Sequence, residues 1–132
     1  MALAIFDLDN TLLGGDSDHL WGVFLAEKGV VDTEVYNVAN DAFYQDYKNG
    51  TLDIDRYLRF SIKPLTEHNL ETLHALHQEF MSRYIEPIVL HKGLALIEAH
   101  KSAGDTLLII TATNGFVTRP IAKRLGIDHI LA

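Results

Sequence analysis

"AIFDLDNTLLGGDSD", residues 4–18, runs from a short apolar stretch into Asp7, Asp9, Asp16 and Asp18. A short apolar run closed by a Gly pair reads as a buried strand, and residues 2–8, ALAIFDL, fit that reading. Asp7 and Asp9 are two positions apart, so on an extended chain they point to the same side. Two carboxylates held close favour a bound cation, and such hard oxygen ligands suit Mg²⁺. Alternatively, one of the pair keeps a proton and serves as an acid.

Working outward, residues 106–111, TLLIIT, repeat the strand signal more strongly, between Gly104-Asp105 and Asn114-Gly115. Residues 128–131, DHIL, read as the start of a third strand. The stretch between Leu8 and Thr106 turns helical. Leu20, Val23 and Phe24 predict a first helix stopped near Gly29, and Val35, Val38, Ala42 and Phe43 a second ending near Asn49-Gly50. Ile54, Tyr57, Leu58 and Ile62 predict a third, capped by Asp53 and stopped by Pro64. Leu70, Leu73, Leu76, Phe80 and Tyr84 line a fourth, with Thr66 as its cap. A fifth is expected over 87–102, opening on Pro87, and a last one carries Val117, Ile121 and Leu125 around Pro120.

A crossover between parallel strands needs only about a dozen residues. One helix, 87–102, supplies it, so residues 16–86 read as a helical insertion folded on itself. The expected organisation is an α/β core from 1–15 and 87–132, interrupted by that bundle. Trp21, Tyr36, Phe43, Tyr44 and Tyr47 are expected in the bundle's core.

Composition narrows the function. The chain has 132 residues, 48% of them hydrophobic, which supports one packed domain. Its net charge of −7 argues against non-specific binding to nucleic acid or to an anionic membrane. It has no cysteine, which excludes disulfides, thiolate metal sites and a cysteine nucleophile. Asp7 stops the first apolar run too early for a signal peptide or a membrane span, so a cytoplasmic protein is expected.

In an open parallel sheet, ligands bind beyond the carboxyl ends of the strands. Asp7, Asp9, Asn10 and Thr11 lie there after the first strand, and Thr111, Thr113 and Asn114 after the second. A carboxylate nucleophile, a second carboxylate, a cation and anion-holding donors suit phosphoryl transfer through an aspartyl phosphate. Plainer readings exist for each group. Asp7 and Asp9 also read as a solvated strand end, and Asp7-x-Asp9-x-Thr11 superficially as a calcium loop, although Leu12 stands where that loop needs Gly. Asp16, Ser17 and Asp18 read equally as a helix cap, Thr113 and Asn114 as the cap of the next helix, and Arg119 as a solvated helix residue. His74 and His77 have helical spacing but no evident third metal ligand.

FDLDNTLL resembles the first motif of the haloacid dehalogenase superfamily, Asp-x-Asp-x-Thr after an apolar strand, and LLIITATN resembles the second, an apolar strand ending in Thr or Ser. GDSD followed by a helix, together with TATNGFVTRPIAKRLGID, is similar to the phosphoserine-phosphatase-like branch, whose bacterial members include histidinol-phosphatase-type enzymes. The resemblance implies a Rossmann-like parallel sheet with a helical cap inserted between the two motifs. It implies Mg²⁺ as cofactor and a small phosphorylated metabolite as substrate. Asp7 would be the nucleophile and a metal ligand. Asp9 would be the general acid and then base, with its backbone carbonyl on the metal. Thr111 would hold the phosphoryl oxygens, with Leu8, Ala112 and Asn114 as further phosphate-binding positions. Asp16 stands where the branch carries a substrate-contacting Glu, and Arg59 and Arg56 are cationic candidates from the cap.

Two further motifs of this superfamily, a Lys and a second acidic group, normally follow the second motif. Lys123 is the one Lys after Thr111, and it lies on a helix. The 132 residues are therefore expected to be the N-terminal part of a longer enzyme. The alternatives are a non-catalytic phosphate- or partner-binding module that forms a homodimer through an open sheet edge, and a phosphotransferase of the same superfamily.

Overall fold

The apolar runs of the sequence become strands, and the longer periodic segments become helices. The computed structural model describes residues 1–132. In chain order the elements are β1 (Leu3–Phe6), α1 (Ser17–Glu27), α2 (Thr33–Asn49), α3 (Ile54–Thr66), α4 (Leu70–Phe80), α5 (His91–Ser102), β2 (Thr106–Ile110), α6 (Gly115–Leu125) and β3 (His129–Leu131). The fold is α/β, with a three-stranded parallel sheet and six α-helices. By contact the chain divides into two compact units, one of Met1–Asp18 with Met81–Ala132, the other of His19–Phe80.

In the first unit the strand order is β1-β2-β3, which leaves β1 at an edge. Leu3 pairs with Thr106 and Phe6 with Ile109, while Leu108 pairs with His129. Side chains alternate across a strand, so this register sorts them onto two faces. One face puts Phe6, Leu107 and Ile109 in the core, with Ile97 from α5 and Val117, Ile121 and Leu125 from α6. The His100 ring of α5 meets Phe6 edge-on at 5.8 Å. The other face leaves Leu3, Ile5, Ile110 and Leu131 exposed. Asp105, just before β2, accepts the Ala2 N–H at 2.9 Å and bonds His100 Nδ1 at 2.7 Å, tying the start of β1 to the end of α5. Residues 12–14 run antiparallel beside 88–90, with Leu13 opposite Val89 and the Gly14 N–H donated to the Ile88 carbonyl at 2.7 Å.

The second unit packs around Trp21, Phe24, Leu25, Leu73 and Phe80, all buried. Trp21 meets Phe80 edge-on at 5.1 Å, and the buried His77 ring lies 5.5 Å from Trp21. Gly22 makes the approach of α1 to α2 possible. A Cβ there would fall 2.8 Å from Asn40 Nδ2 and 2.9 Å from Tyr36 Cε1, closer than real packing allows.

Several local expectations are corrected. Pro64 lies buried inside the last turn of α3, which runs on to Thr66, so it ends the helix two residues later than expected. Thr66 closes α3 by donating its hydroxyl to the Lys63 carbonyl at 2.7 Å, so it cannot open α4. Asn69 does that instead, accepting the Thr72 N–H at 2.8 Å. Past Phe80 the backbone widens into a π-helical turn, Met81–Ile85, and then tightens into a 3₁₀ turn, Glu86–Ile88, that contains Pro87. α5 therefore starts at His91, later than expected.

The faces of two helices also differ from expectation. Val35, Val38 and Ala42 of α2 and Ile54, Leu58 and Ile62 of α3 are exposed. The aromatic stripes won: Tyr36 stacks on Phe60 at 4.6 Å, and Phe43 meets Tyr57 at 5.4 Å. Each helix carried two apolar stripes, and the one with larger rings offered more area to bury. Tyr47 is exposed, not in the core.

Candidate active site

Parallel pairing puts the carboxyl ends of β1 and β2 on the same side of the sheet. Asp7 follows the last residue of β1. It is exposed, and its Oδ1 accepts the Leu8 N–H at 2.9 Å. Leu8 is fully buried, and its carbonyl accepts the N–H groups of Thr11, Leu12 and Leu13 at 3.2, 3.0 and 3.1 Å. The chain turns sharply over that oxygen. Asn10 takes a left-handed φ of 59° in the turn, a conformation asparagine tolerates better than most residues.

Asp9 is the most constrained acid of the group. Its Oδ1 accepts the Ser17 N–H at the start of α1 at 2.8 Å. Its Oδ2 accepts the Thr113 hydroxyl at 2.8 Å, a bond across 104 positions of sequence. This contact brings the two polar clusters together. Thr111, buried at the end of β2, accepts the Thr113 N–H on Oγ1 at 3.1 Å. Since Oγ1 accepts there, the Thr111 proton is left to donate to another acceptor.

The other candidates separate. Asn114 caps α6, its Oδ1 accepting the Val117 N–H at 3.1 Å. Asp16 caps α1, its Oδ1 accepting the Asp18 N–H at 3.0 Å. Ala112 is exposed between Thr111 and Thr113. Arg119 is exposed and folds back over the first turn of α6, so a Cβ at position 115 would fall 2.6 Å from its Nη1. Arg59 is exposed on α3, in the second unit, and the Arg56 guanidinium lies 6.0 Å from the Phe43 ring. The sequence reading missed the two anchors of Asp9. The sequence places Thr113 in the polar cluster after the second strand, with a helix cap as its plainer reading, but not as a partner of Asp9, and Ser17 acts through a backbone N–H that no sequence motif marks.

No three His, Cys, Asp or Glu side chains converge to hold a metal ion. Both Asp9 carboxylate oxygens are already engaged. The exposed Asp7 carboxylate and the backbone carbonyl of Asp9 remain as hard donors. Mg²⁺ is commonly held by one or two carboxylates, with waters and substrate phosphate completing its shell, so this donor set fits it.

A family model described as haloacid dehalogenase-like hydrolase matches residues 4–132. The chain belongs to the haloacid dehalogenase-like hydrolase family. It is 45% identical over 129 residues to a histidinol-phosphatase of Neisseria meningitidis serogroup C, covering 98% of this chain and 58% of that one. A solved structure of a protein of unknown function from Bordetella pertussis Tohama I superposes with a TM-score of 0.92 at 39% identity, over 99% of this chain and 59% of that one. A phosphoserine phosphatase solved as a phospho-aspartyl intermediate analogue shares the fold, with a TM-score of 0.65 at 17% identity over 98% of this chain and 55% of its own. The chain thus spans between 43% and 58% of the length of the curated relatives it matches. No helix in it is long and apolar enough to cross a membrane.

Proposed function

We propose that residues 1–132 carry the nucleophile half of a Mg²⁺-dependent phosphatase that hydrolyses a small phosphate monoester through an aspartyl phosphate. The observation that carries this reading is an Asp9 held at both oxygens, by the Ser17 N–H and by the Thr113 hydroxyl, two residues after an exposed Asp7. Asp7 attacks phosphorus. The bond from phosphorus to the ester oxygen breaks, and that oxygen takes a proton from Asp9. Asp9 then removes a proton from water, which attacks the phosphorus, releases phosphate and regenerates Asp7. Thr111 donates its free proton to a phosphoryl oxygen, with the Ala112 N–H as a further donor and the Leu8 N–H, which bonds Asp7 Oδ1 here, joining them once Asp7 is phosphorylated. Asn114 contributes by holding the first turn of α6, whose N-terminus favours an anion. Mg²⁺, held by Asp7 and the Asp9 carbonyl, would neutralise phosphoryl charge.

Asp16, just before α1 in the first unit, is the proposed substrate contact, and Arg59 on α3 is a cationic candidate to test beside it. The printed name of the Neisseria relative makes histidinol phosphate the first ester to test. A second reading, a binding module that self-associates through its sheet, is favoured by the exposed Leu3 and Ile5 of the edge strand.

The deciding experiment replaces Asp7 with Asn in the full reading frame that encodes these residues. Mg²⁺-dependent hydrolysis of histidinol phosphate and of p-nitrophenyl phosphate is expected to disappear. Turnover at the wild-type rate would remove Asp7 as the nucleophile.

A further inference from the structure

Thr113 has no part in the mechanism above, yet it is 4% exposed and commits both its polar groups to the site. Its N–H goes to Thr111 Oγ1 at 3.1 Å, and its hydroxyl goes to Asp9 Oδ2 at 2.8 Å. Asp9 is thereby held from two directions, with the Ser17 N–H on Oδ1 at 2.8 Å. A carboxyl group bonded once at each oxygen cannot rotate about its last torsion without losing both bonds. Each oxygen still keeps a second lone-pair direction.

We propose that Thr113 is a positioning residue for proton delivery: its hydroxyl fixes the plane of the Asp9 carboxyl so that the proton-bearing oxygen meets the ester oxygen as the alcohol leaves. The proposal rests on the reading of Asp9 as general acid. In the step it serves, the bond from phosphorus to the ester oxygen breaks, the electron pair goes to that oxygen, and the Asp9 proton moves onto it. Thr113 itself gains and loses nothing. Its hydroxyl spares Asp9 a search through rotamers at the moment of bond breaking.

The geometry also explains why a hydroxyl is needed and bulk is not enough. Valine at 113 would keep the shape and leave Asp9 Oδ2 without its donor. Serine would restore the donor and lose a methyl group.

The test compares two esters in the full reading frame. An alkyl phosphate, chosen as the best substrate among histidinol phosphate and phosphoserine, has an alcohol that must be protonated to leave. p-Nitrophenyl phosphate releases an anion stable at neutral pH. kcat/KM is the readout, because it reports the steps up to departure of the alcohol and excludes hydrolysis of the phosphoenzyme. Asp9→Asn serves as the control, and it should damage the alkyl ester far more than the aryl ester.

General acid catalysis is worth about 10²–10⁴-fold, so losing one of two anchors should lower kcat/KM of Thr113→Val for the alkyl ester by about 10–100-fold and for the aryl ester by less than about 3-fold. Thr113→Ser should restore the alkyl value. The Ser17 amide gives a readout free of turnover. Its hydrogen exchange should accelerate in Thr113→Val, as Asp9 is freed, and stay slow in Thr113→Ser. Equal losses on the two esters in Thr113→Val, with a selective Asp9→Asn, would overturn the positioning role alone. An Asp9→Asn that damages both esters equally would overturn the acid assignment and this proposal with it. Unchanged Ser17 exchange in Thr113→Val would also overturn the positioning role.

Discussion

One hydroxyl and one backbone N–H decide where the Asp9 carboxyl points, and neither is visible as a motif. The placement of Asp7 and Asp9 just past a strand was legible, because the apolar run before them marks the strand. Their anchors were not, since the Thr113 bond spans 104 positions and depends on the two strand ends meeting. Asn114 illustrates the other side. A short polar residue before an apolar periodic segment is a strong local signal, and it does cap α6. Asn114→Ala should cost about 1 kcal/mol through the lost cap, and Asn114→Asp should recover most of it. Thermal melts of the two variants check this, and an alanine variant that melts with the wild type would mean that α6 does not depend on its cap.

At the scale of elements, the order of strands and helices was readable, and the ends and faces were less so. Thr66, Pro64 and Pro87 each carried a correct local preference attached to the wrong boundary. Thr66 bonds backward to Lys63 rather than forward, and Pro87 sits within a 3₁₀ turn that opens at Glu86 rather than starting a helix. Nothing in a single sequence says which direction a threonine hydroxyl will take. The α2 and α3 faces went wrong for a different reason: two apolar stripes competed, and only tertiary contact between rings chose one. The junction of β1, α5 and β2 offers a test. The hydrogen bond from His100, followed by the Ala2 N–H, holds the Asp105 carboxyl below its ordinary value of 3.8. Its pKa is lower folded than unfolded, so it stabilises the fold at pH values above about 4 and loses that contribution as pH falls further. Asp105→Asn should therefore melt below the wild type at pH 7, and the two curves should converge below about pH 4. A gap in melting temperature that stays constant from pH 7 to pH 3 would rule out this linkage.

For the whole molecule, the unusual feature is a parallel sheet covered on one face. Parallel sheets occur almost always with helices on both faces, since their strands are apolar on both. Here α5 and α6 cover the face of Phe6 and Ile109. On the other, Leu3 is 58%, Ile5 57%, Ile110 44% and Leu131 59% exposed. The edge strand β1, LAIF, carries no Lys or Pro to discourage pairing with another chain. The Neisseria relative is matched over 58% of its length, so it has sequence that the match leaves out. The 132-residue polypeptide, made alone, is therefore expected to hide this face against a second copy. Size-exclusion chromatography should show it eluting above monomer mass in a concentration-dependent way, with hydrophobic dye bound at low concentration and excluded as the copies associate. Ile5→Lys combined with Ile110→Lys should shift it toward monomer, because a charge placed in an apolar interface must be desolvated without a partner. The melting temperature of the variant should match the wild type only at concentrations where both are monomeric, and fall below it where the wild type associates. A wild-type polypeptide that stays monomeric at all concentrations and binds no dye would show that the open face needs no cover.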